Sequence, residues 1–502
     1  MALSDIIFEK QKGGLKVALP NEDHISGMLF FHDTLPSGFS DTERIKQIVD
    51  ITAAEQLGIV ADKSDETKAT GGNIAITAEG AEDDVVNIKM DGIVIGSYTV
   101  VDGDLESDIA TALRSAINAL TETTGYSAAG TGVNVLLTAP QGLGSSINGG
   151  THLVFEAGST TATVTQFTGG VDAFFDVMHY HISEFFRKNP NAELHVMIAS
   201  QPTTWDFADL RTLIVTKEGK IRQTMIFQKH HAFTTNDILA IKPVQETLES
   251  EHKPFSVILA GNIKAVTDLT ALPTLRIDAR KISVVIGADG GNVGSALEKA
   301  RNYSVTCAGA VLGAISLAKV SENIAWVDKF KMSDLELDVA AFANNQLVTD
   351  LTKTSNNILT SLDTKGYIFL RKHDGATGSW LNYSHSCILE NDDYSTIERN
   401  RTIDKAIRNV RTILLPHLNS PVDIDATTGK LGFDFVSYLA AEGDRALSDM
   451  QKDGEISGGQ TLIDPNQSIL TNNELEVIIE LVPKGVAKTI RVKIGFKMKL
   501  SS

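Results

Sequence analysis

The sequence predicts a mixed α+β and α/β multidomain protein. It has a layered α/β core, a C-terminal α+β domain, extended terminal strand arms and a small inserted β-rich domain. Three observations predict this. From Val171 onward, strand-like and helix-like stretches alternate, as in layered α/β folds. From Ser64 to Gly170 the composition shifts to Gly, Thr, Ala and Asp, with thirteen acids against three bases (Lys68, Lys89, Arg114). From Ile490 to Leu500 the chain alternates strictly between apolar and mostly basic residues. At 502 residues the chain exceeds one ordinary core and suggests roughly two to four domains.

The boundaries follow from these shifts. Residues 1–31 read as an extended arm, with short strands at Ser4–Glu9 and Leu15–Leu19 around Gly13-Gly14. Residues 32–63 and 171–361 form the α/β core. Residues 64–170 form the acidic insertion, joined by linkers at Ser64–Gly72 and Gln166–Gly170. Residues 362–487 form the C-terminal domain, and 488–502 a strand arm. In the core, Asp41–Gln56 has helical spacing (Ile45, Ile48, Val49, Ile51) with Ser40-Asp41 as a start signal. Helices are expected at Phe174–Arg187, Ala208–Ile214, Asp237–Ser250 and Gly294–Arg301. Strands are expected at Leu194–Ile198, Gln223–Gln228, Phe255–Ala260 and Ser283–Ile286. Ala308–Val320 is small and apolar, a buried helix. In the insertion, Val85–Lys89, Ile93–Val101, Val133–Thr138 and Leu153–Glu156 read as strands and Asp104–Leu120 as a helix. Met332–Leu362 is helical or connecting. The C-terminal domain offers a strand at Gly366–Arg371, a long helix at Tyr394–Leu418 and a strand at Leu475–Val482.

The last stretch, IRVKIGFKMKL, puts Ile490, Val492, Ile494, Phe496, Met498 and Leu500 on one parity and Arg491, Lys493, Lys497 and Lys499 on the other. Successive strand side chains point to opposite faces, so this is a strand of roughly 36 Å with an apolar and a basic face. Such a strand leaves a row of unpaired backbone groups unless its own domain or a neighbouring subunit pairs with it.

Composition excludes several function classes. A net charge of −18 and a pI near 5.1 argue against nucleic acid or an anionic membrane as the main partner. Cys307 and Cys387 stand far apart, which predicts no disulfide framework and a reducing compartment. No signal peptide and no membrane-spanning run are expected. Motifs for catalysis are weak. Val284–Gly294, VVIGADGGNVG, invites a dinucleotide reading, but Asp289 stands where the second Gly should let the backbone approach a pyrophosphate. His179 and His181 lie two apart on a helix and face different ways, so they do not chelate one metal from it. Asp102, Asp104, Glu106 and Asp108 resemble the start of a calcium loop, but Ser107 replaces its Gly and the closing Glu is missing. No catalytic, cofactor or metal site is expected. One stripe stands out. The helix from Ser395, with a Ser395–Glu398 capping box, carries Arg401, Lys405, Arg408 and Arg411 on a basic face apart from Ile403, Ile407, Val410 and Leu414. Such a face is either solvated, with local salt bridges to Glu398 and Asp404, or docked on an acidic protein surface.

The pieces CAGAVLGAISLAKVSENIAWV (307–327), LDTKGYIFLR (362–371), YSTIERNRTIDKAIRNVRTILLPHLNSPV (394–422) and LEVIIELVPKGVAKTIRVKIGF (475–496) follow one another in order, with AAEQLGI (53–59) near the start. Together they resemble contractile tail sheath proteins of bacteriophages and contractile injection systems. The resemblance implies a homopolymer of six-fold rings stacked helically around an inner tail tube, meeting baseplate and terminator proteins. It implies arms that add strands to neighbouring subunits, and a helix whose Arg401, Lys405, Arg408 and Arg411 grip the tube. It further implies no cofactor, no nucleic acid, no direct membrane insertion, and assembly in the cytoplasm of the producing bacterium before incorporation into the particle. Two rival readings remain: an NAD-type oxidoreductase on the α/β core, and a non-contractile baseplate or surface-layer protein.

Overall fold

The computed structural model describes residues 22–494 and 496, except 230, 334, 335, 354, 355 and 468. The arm strands expected at Ser4–Glu9 and Leu15–Leu19 lie outside the described residues. At the centre is a six-stranded sheet. Its order is Ile282–Val285, Ser256–Ala260, Gln223–Phe227, Ser26–Phe31, Leu194–Ala199 and Ile45–Ile48. The first five strands run parallel and the last is an antiparallel edge. The five parallel strands are buried throughout, which is why they read as continuous apolar runs rather than alternations.

The edge strand corrects an expectation. Asp41–Gln56 is not one helix: Ile45–Ile48 is a strand paired with Leu194–Met197, and only Ile51–Gln56 is helical. Asp50 caps that short helix, its Oδ1 accepting from Ala53 N at 2.8 Å. The i, i+3, i+4 spacing of Ile45, Ile48 and Val49 loses here to the ladder bonds of an otherwise unpaired sheet edge.

The Phe175–Lys188 helix crosses Ala308–Leu317 at close range. A Cβ at Gly309 would stand 2.3 Å from His181 O, and one at Gly313 2.6 Å from Phe185 O. The two glycines let the helix backbones touch, which explains the small-residue composition of that helix. Other helices lie at Ala208–Thr216, Thr235–Ser250 and Val293–Ala300. Between Met332 and Leu362 the described chain holds a short strand, Ala340–Phe342, and the helices Val348–Leu351 and Asn357–Lys365.

The insertion has its own apolar core, built from residues between Ala69 and Phe167 and separate from the central one. A four-stranded sheet (Ser127–Ala129, Asn134–Thr138, Gly72–Ala78, Thr161–Thr165) and a three-stranded sheet (Ile93–Thr99, Val85–Met90, Leu153–Glu156) carry the Glu106–Ala119 helix. The two linkers pair with each other as a stem, through Thr67 with Val171 and Thr70 with Thr168. At its base Asp65 Oδ2 accepts from Phe174 N at 2.7 Å and Phe175 N at 3.1 Å, capping the helix that restarts the core.

In the C-terminal domain the long helix runs Ile397–Leu414 with Thr396 as N-cap. The expected Ser395–Glu398 box does not form. Glu398 instead accepts from Ser384 Oγ and from Asn323 Nδ2, the latter at 2.9 Å. A second long helix, Phe433–Lys452, packs on a hairpin of Ile456–Leu462 and Ile478–Pro483. The strand expected at Gly366–Arg371 shrinks to Leu370-Arg371, paired with Trp380-Leu381.

Candidate assembly surfaces

In a doubly wound sheet, ligands bind beyond the carboxyl ends of the strands where the strand order reverses. Here that point is the end of Ser26–Phe31, which lies between Leu194–Ala199 and Gln223–Phe227. His32 and Lys229 follow two of these strand ends. The crevice is filled by the start of the Phe175–Lys188 helix, where the chain returns from the insertion. The Phe174 ring lies 5.0 Å from that of His32 and 5.1 Å from Lys229 Nζ. Arg301 donates from Nη2 to Asp176 Oδ2 at 2.6 Å and from Nε to Ala173 O at 3.2 Å.

The glycine-rich turn is filled too. Asp289 is 2% exposed. Its oxygens accept from Gly291 N at 2.9 Å, Asn292 N at 3.0 Å and Ser295 N at 3.2 Å. These are the donors a phosphate would use at a helix start. Burial pushes the Asp289 carboxyl above its ordinary range, against the lowering effect of those amides. Among the described residues the histidines do not gather into one site. His181 is fully buried beside Phe30 and Phe227, and burial lowers its pKa to about 3, so it stays neutral. His179 Nε2 meets Glu55 at 3.0 Å. His230 lies outside the described residues, and His231 Nε2 meets Asp237 Oδ1 at 2.8 Å. In the acidic loop, Asp104 accepts from Tyr98 Oη and Val101 N, and Asp108 from Leu105 N. Those carboxylates organise a helix start. Among the described residues no cluster of three or more metal-ligating side chains forms.

The basic stripe of the long helix points inward rather than outward. Arg401 is 5% exposed and donates to Ala318 O and to Asp23 O. Lys405 Nζ reaches Asp23 Oδ2 at 2.9 Å and Glu455 Oε1 at 2.6 Å. Arg408 Nη2 reaches Asp23 Oδ1 at 2.6 Å. Only Arg411 of the four is exposed. Neither Glu398 nor Asp404 serves as a local partner; Asp404 pairs with Lys281 at 2.6 Å. A side chain buried against its own chain cannot also grip another protein, so Arg401, Lys405 and Arg408 are not a docking face in this state. They form an ionic knot that ties the lead into the central strand to the C-terminal domain. Asp23 and Glu455 complete it, and no spacing in the sequence marks either.

The apolar surface lies elsewhere. Up to Ile397 the C-terminal domain shares the central core, but beyond it the described chain buries few apolar residues: Ala406, Val410, Ala446, Leu447, Met450 and Ile456 in one cluster, and Leu431, Leu439 and Ile463 in another. A groove of about 780 Å³ opens between them, lined by Ile407, Leu414, Leu418, Phe435, Ile469 and Val477 among others. Of these Leu418 is 71% exposed, and beside the groove Phe433 is 81% and Leu470 79% exposed. The expected terminal strand is absent from the described part of the segment: residues 490–494 have no strand partner. The strand that precedes it, Ile478–Pro483, is hydrogen-bonded to Ile456–Leu462. Ile490, Val492, Ile494 and Phe496 therefore stand open, the least exposed of them, Val492, at 77%. Met498 and Leu500 lie outside the described residues.

Among the solved structures that resemble the chain are two from one particle. One is the six-fold symmetrised baseplate of the anti-feeding prophage, at 12% identity and TM-score 0.43, covering 64% of this chain and 80% of that one. The other is the helical sheath of the same particle in its contracted state, at 13% identity and TM-score 0.45, covering 63% of this chain and 81% of that one. No curated protein sequence matches. The C-terminal domain of DUF2586 matches residues 393–501. The N-terminal domain of DUF2586 matches residues 117–385, more than half of the chain, and the chain therefore belongs to the DUF2586 family.

Proposed function

We propose that this chain is a structural subunit of a contractile sheath. In this reading it polymerises through its arms into helical six-fold rings around an inner tube and drives that tube through a target envelope. The observation that carries the reading is the open tail. Among the described residues, four alternating apolar side chains of the tail, Ile490, Val492, Ile494 and Phe496, have no cover, and exposing them all to water is costly at about 25 cal/mol per Å². The C-terminal domain supplies the matching deficit, a half-built core with an apolar groove and a two-stranded hairpin. A tail from one copy laid on the C-terminal domain of another would satisfy both. The ring symmetry, the tube and the contraction come from the sequence resemblance of 307–327, 362–371, 394–422 and 475–496. The reading is non-catalytic: in the described chain the switch-point crevice is occupied by Phe174, and the dinucleotide-like turn by the Asp289 carboxylate.

Deleting residues 490–502 tests it. The full chain should form tubes or stacked rings in negative-stain electron microscopy. The shortened chain should stay monomeric with its melting temperature unchanged. Normal tubes from the shortened chain would remove the arm, and a full chain that remains monomeric at every concentration would remove the polymer.

A further inference from the structure

The hairpin ends at Pro483, and residues 484–494 pair with no strand. The first part of this segment nevertheless follows the body. Lys484, Val486 and Lys488 line a cleft of about 1210 Å³ opposite Trp326, Arg371 and Tyr383. Among the described residues, Lys488 is the one side chain of 484–494 bonded to the body. Its Nζ lies 3.0 Å from Asp363 Oδ2, 3.0 Å from Glu390 Oε1 and 4.6 Å from the centre of the Tyr383 ring. Two carboxylates from separate segments and one ring face fix an ammonium in three directions.

The acceptor is itself held firmly. Asp363 sits in the last turn of the Asn357–Lys365 helix. Its Oδ1 meets His385 Nε2 at 2.9 Å and accepts from Asn382 Nδ2 at 2.9 Å, which leaves Oδ2 for Lys488. Arg276 spans the carbonyls of Asp363, Thr364 and Ile388. The sequence sets Lys488 apart as well. From Val486 to Leu500 the even positions are Val486, Ile490, Val492, Ile494, Phe496, Met498 and Leu500, with Lys488 the single base among them. The other bases between Val486 and Leu500, Arg491, Lys493, Lys497 and Lys499, occupy odd positions.

We propose that Lys488 is a positioning residue that clamps the root of the tail to the body, so that everything from Thr489 onward leaves from a fixed point. The purpose of the clamp rests on the assembly reading above; the clamp itself is a property of one chain. Without it, the last fixed point before Ile490 is Pro483, seven residues back, and Ile490 can reach about 23 Å from it. With it, two residues separate Ile490 from its anchor, a reach of about 7 Å. The volume in which a neighbour must find the tail shrinks roughly forty-fold, which raises the effective concentration of the arm accordingly. A clamped root also passes the orientation of one subunit to the next, which a slack linker cannot do.

The test places spin labels at Ile490→Cys and Asp328→Cys in the full chain; the native Cys307 and Cys387 are buried. Pulsed electron resonance on the monomer then gives the distance distribution. Lys488→Gln should broaden it at least twofold, and Lys488→Arg should restore it, because a guanidinium also bridges two carboxylates. Glu390→Gln, at an exposed site, should give an intermediate width and serves if Lys488→Gln folds poorly. In assembly, Lys488→Gln should raise the concentration at which polymers form by tenfold or more. An unchanged distribution in Lys488→Gln or in Glu390→Gln overturns the clamp. A broadened distribution in a chain that never polymerises keeps the clamp and overturns the assembly reading instead.

Discussion

Asp23 lies in contact with Lys405 and Arg408, its side chain 10% exposed, and its carbonyl accepts from Arg401. Burial pushes its carboxyl up, but the two cations outweigh that and hold it below the usual carboxylate range. Asp23→Ala strips the charge partner from Arg408 and half of the partners from Lys405, which should cost about 3 kcal/mol in urea unfolding, as for breaking a buried pair. A carboxyl depressed on folding stabilises above its unfolded pKa and loses that contribution as pH falls through its native value. The gap between wild type and Asp23→Ala should therefore close in acid. Glu298 works in the opposite window. Burial raises it to about 7, against the pull of Lys264 Nζ 3.0 Å away and of the Val305 amide. A raised group contributes most below its unfolded pKa, near 4.5, and loses that contribution as pH rises through 7. Between those values wild-type stability should fall relative to Glu298→Gln, by up to about 1.4 kcal/mol per pH unit. Parallel curves for the two proteins would show that Glu298 is ionised throughout.

Elements buried on both faces were legible because nothing but burial decides them. Leu194–Ala199, Ser256–Ala260 and Ile282–Val285 are apolar runs bounded by turns, and they sit within two residues of where such runs place them. Ala308–Leu317 was legible for the same reason. Elements decided by a partner were not. Ile45–Ile48 has helical spacing and becomes a strand because an edge needs it. The Phe433–Lys452 helix carries a readable stripe, Leu439, Gly443, Ala446 and Met450, but Gly443 reads as a breaker. Its reason is tertiary: a Cβ there would lie 2.4 Å from Thr461 Oγ1 of the hairpin. The basic stripe shows the limit most plainly. Periodicity groups Arg401, Lys405 and Arg408 on one face, but it does not say whether that face meets solvent, another protein or Asp23. Lys488 could have been found, since a lone base on an apolar parity marks a side chain turned toward something charged.

At the scale of the molecule, the two cores differ in what they depend on. The central core is one continuous cluster from Ile25 to Ile397, whereas the insertion closes its own around Ile74, Ile88, Leu113 and Phe167. What joins them is mostly polar. Glu66 accepts from Gly142 N and Gly144 N, Asp172 accepts from Ser145 N and Oγ, and the stem pairs Thr67 with Val171. Asp65 belongs with the core because it caps the Phe175–Lys188 helix, so a cut at Ser64 would remove a residue the core needs. The better excision removes 68–170 and joins Thr67 to Val171 through two glycines, since Thr67 N already lies 3.1 Å from Val171 O. It deletes eleven acids and three bases, moving the formal charge from −18 to −10 (−18 + 11 − 3). The shortened chain should remain folded, with circular dichroism matching the remaining elements and a melting temperature within a few degrees of the parent. It should polymerise wherever the full chain does, because the tail, the clamp and the C-terminal groove lie outside the deleted stretch. An aggregated product that regains solubility only when Asp172 is also replaced by Asn would trace the failure to that carboxylate, stranded without Ser145. Aggregation that persists in that variant would mean that the insertion and the central sheet fold as one unit.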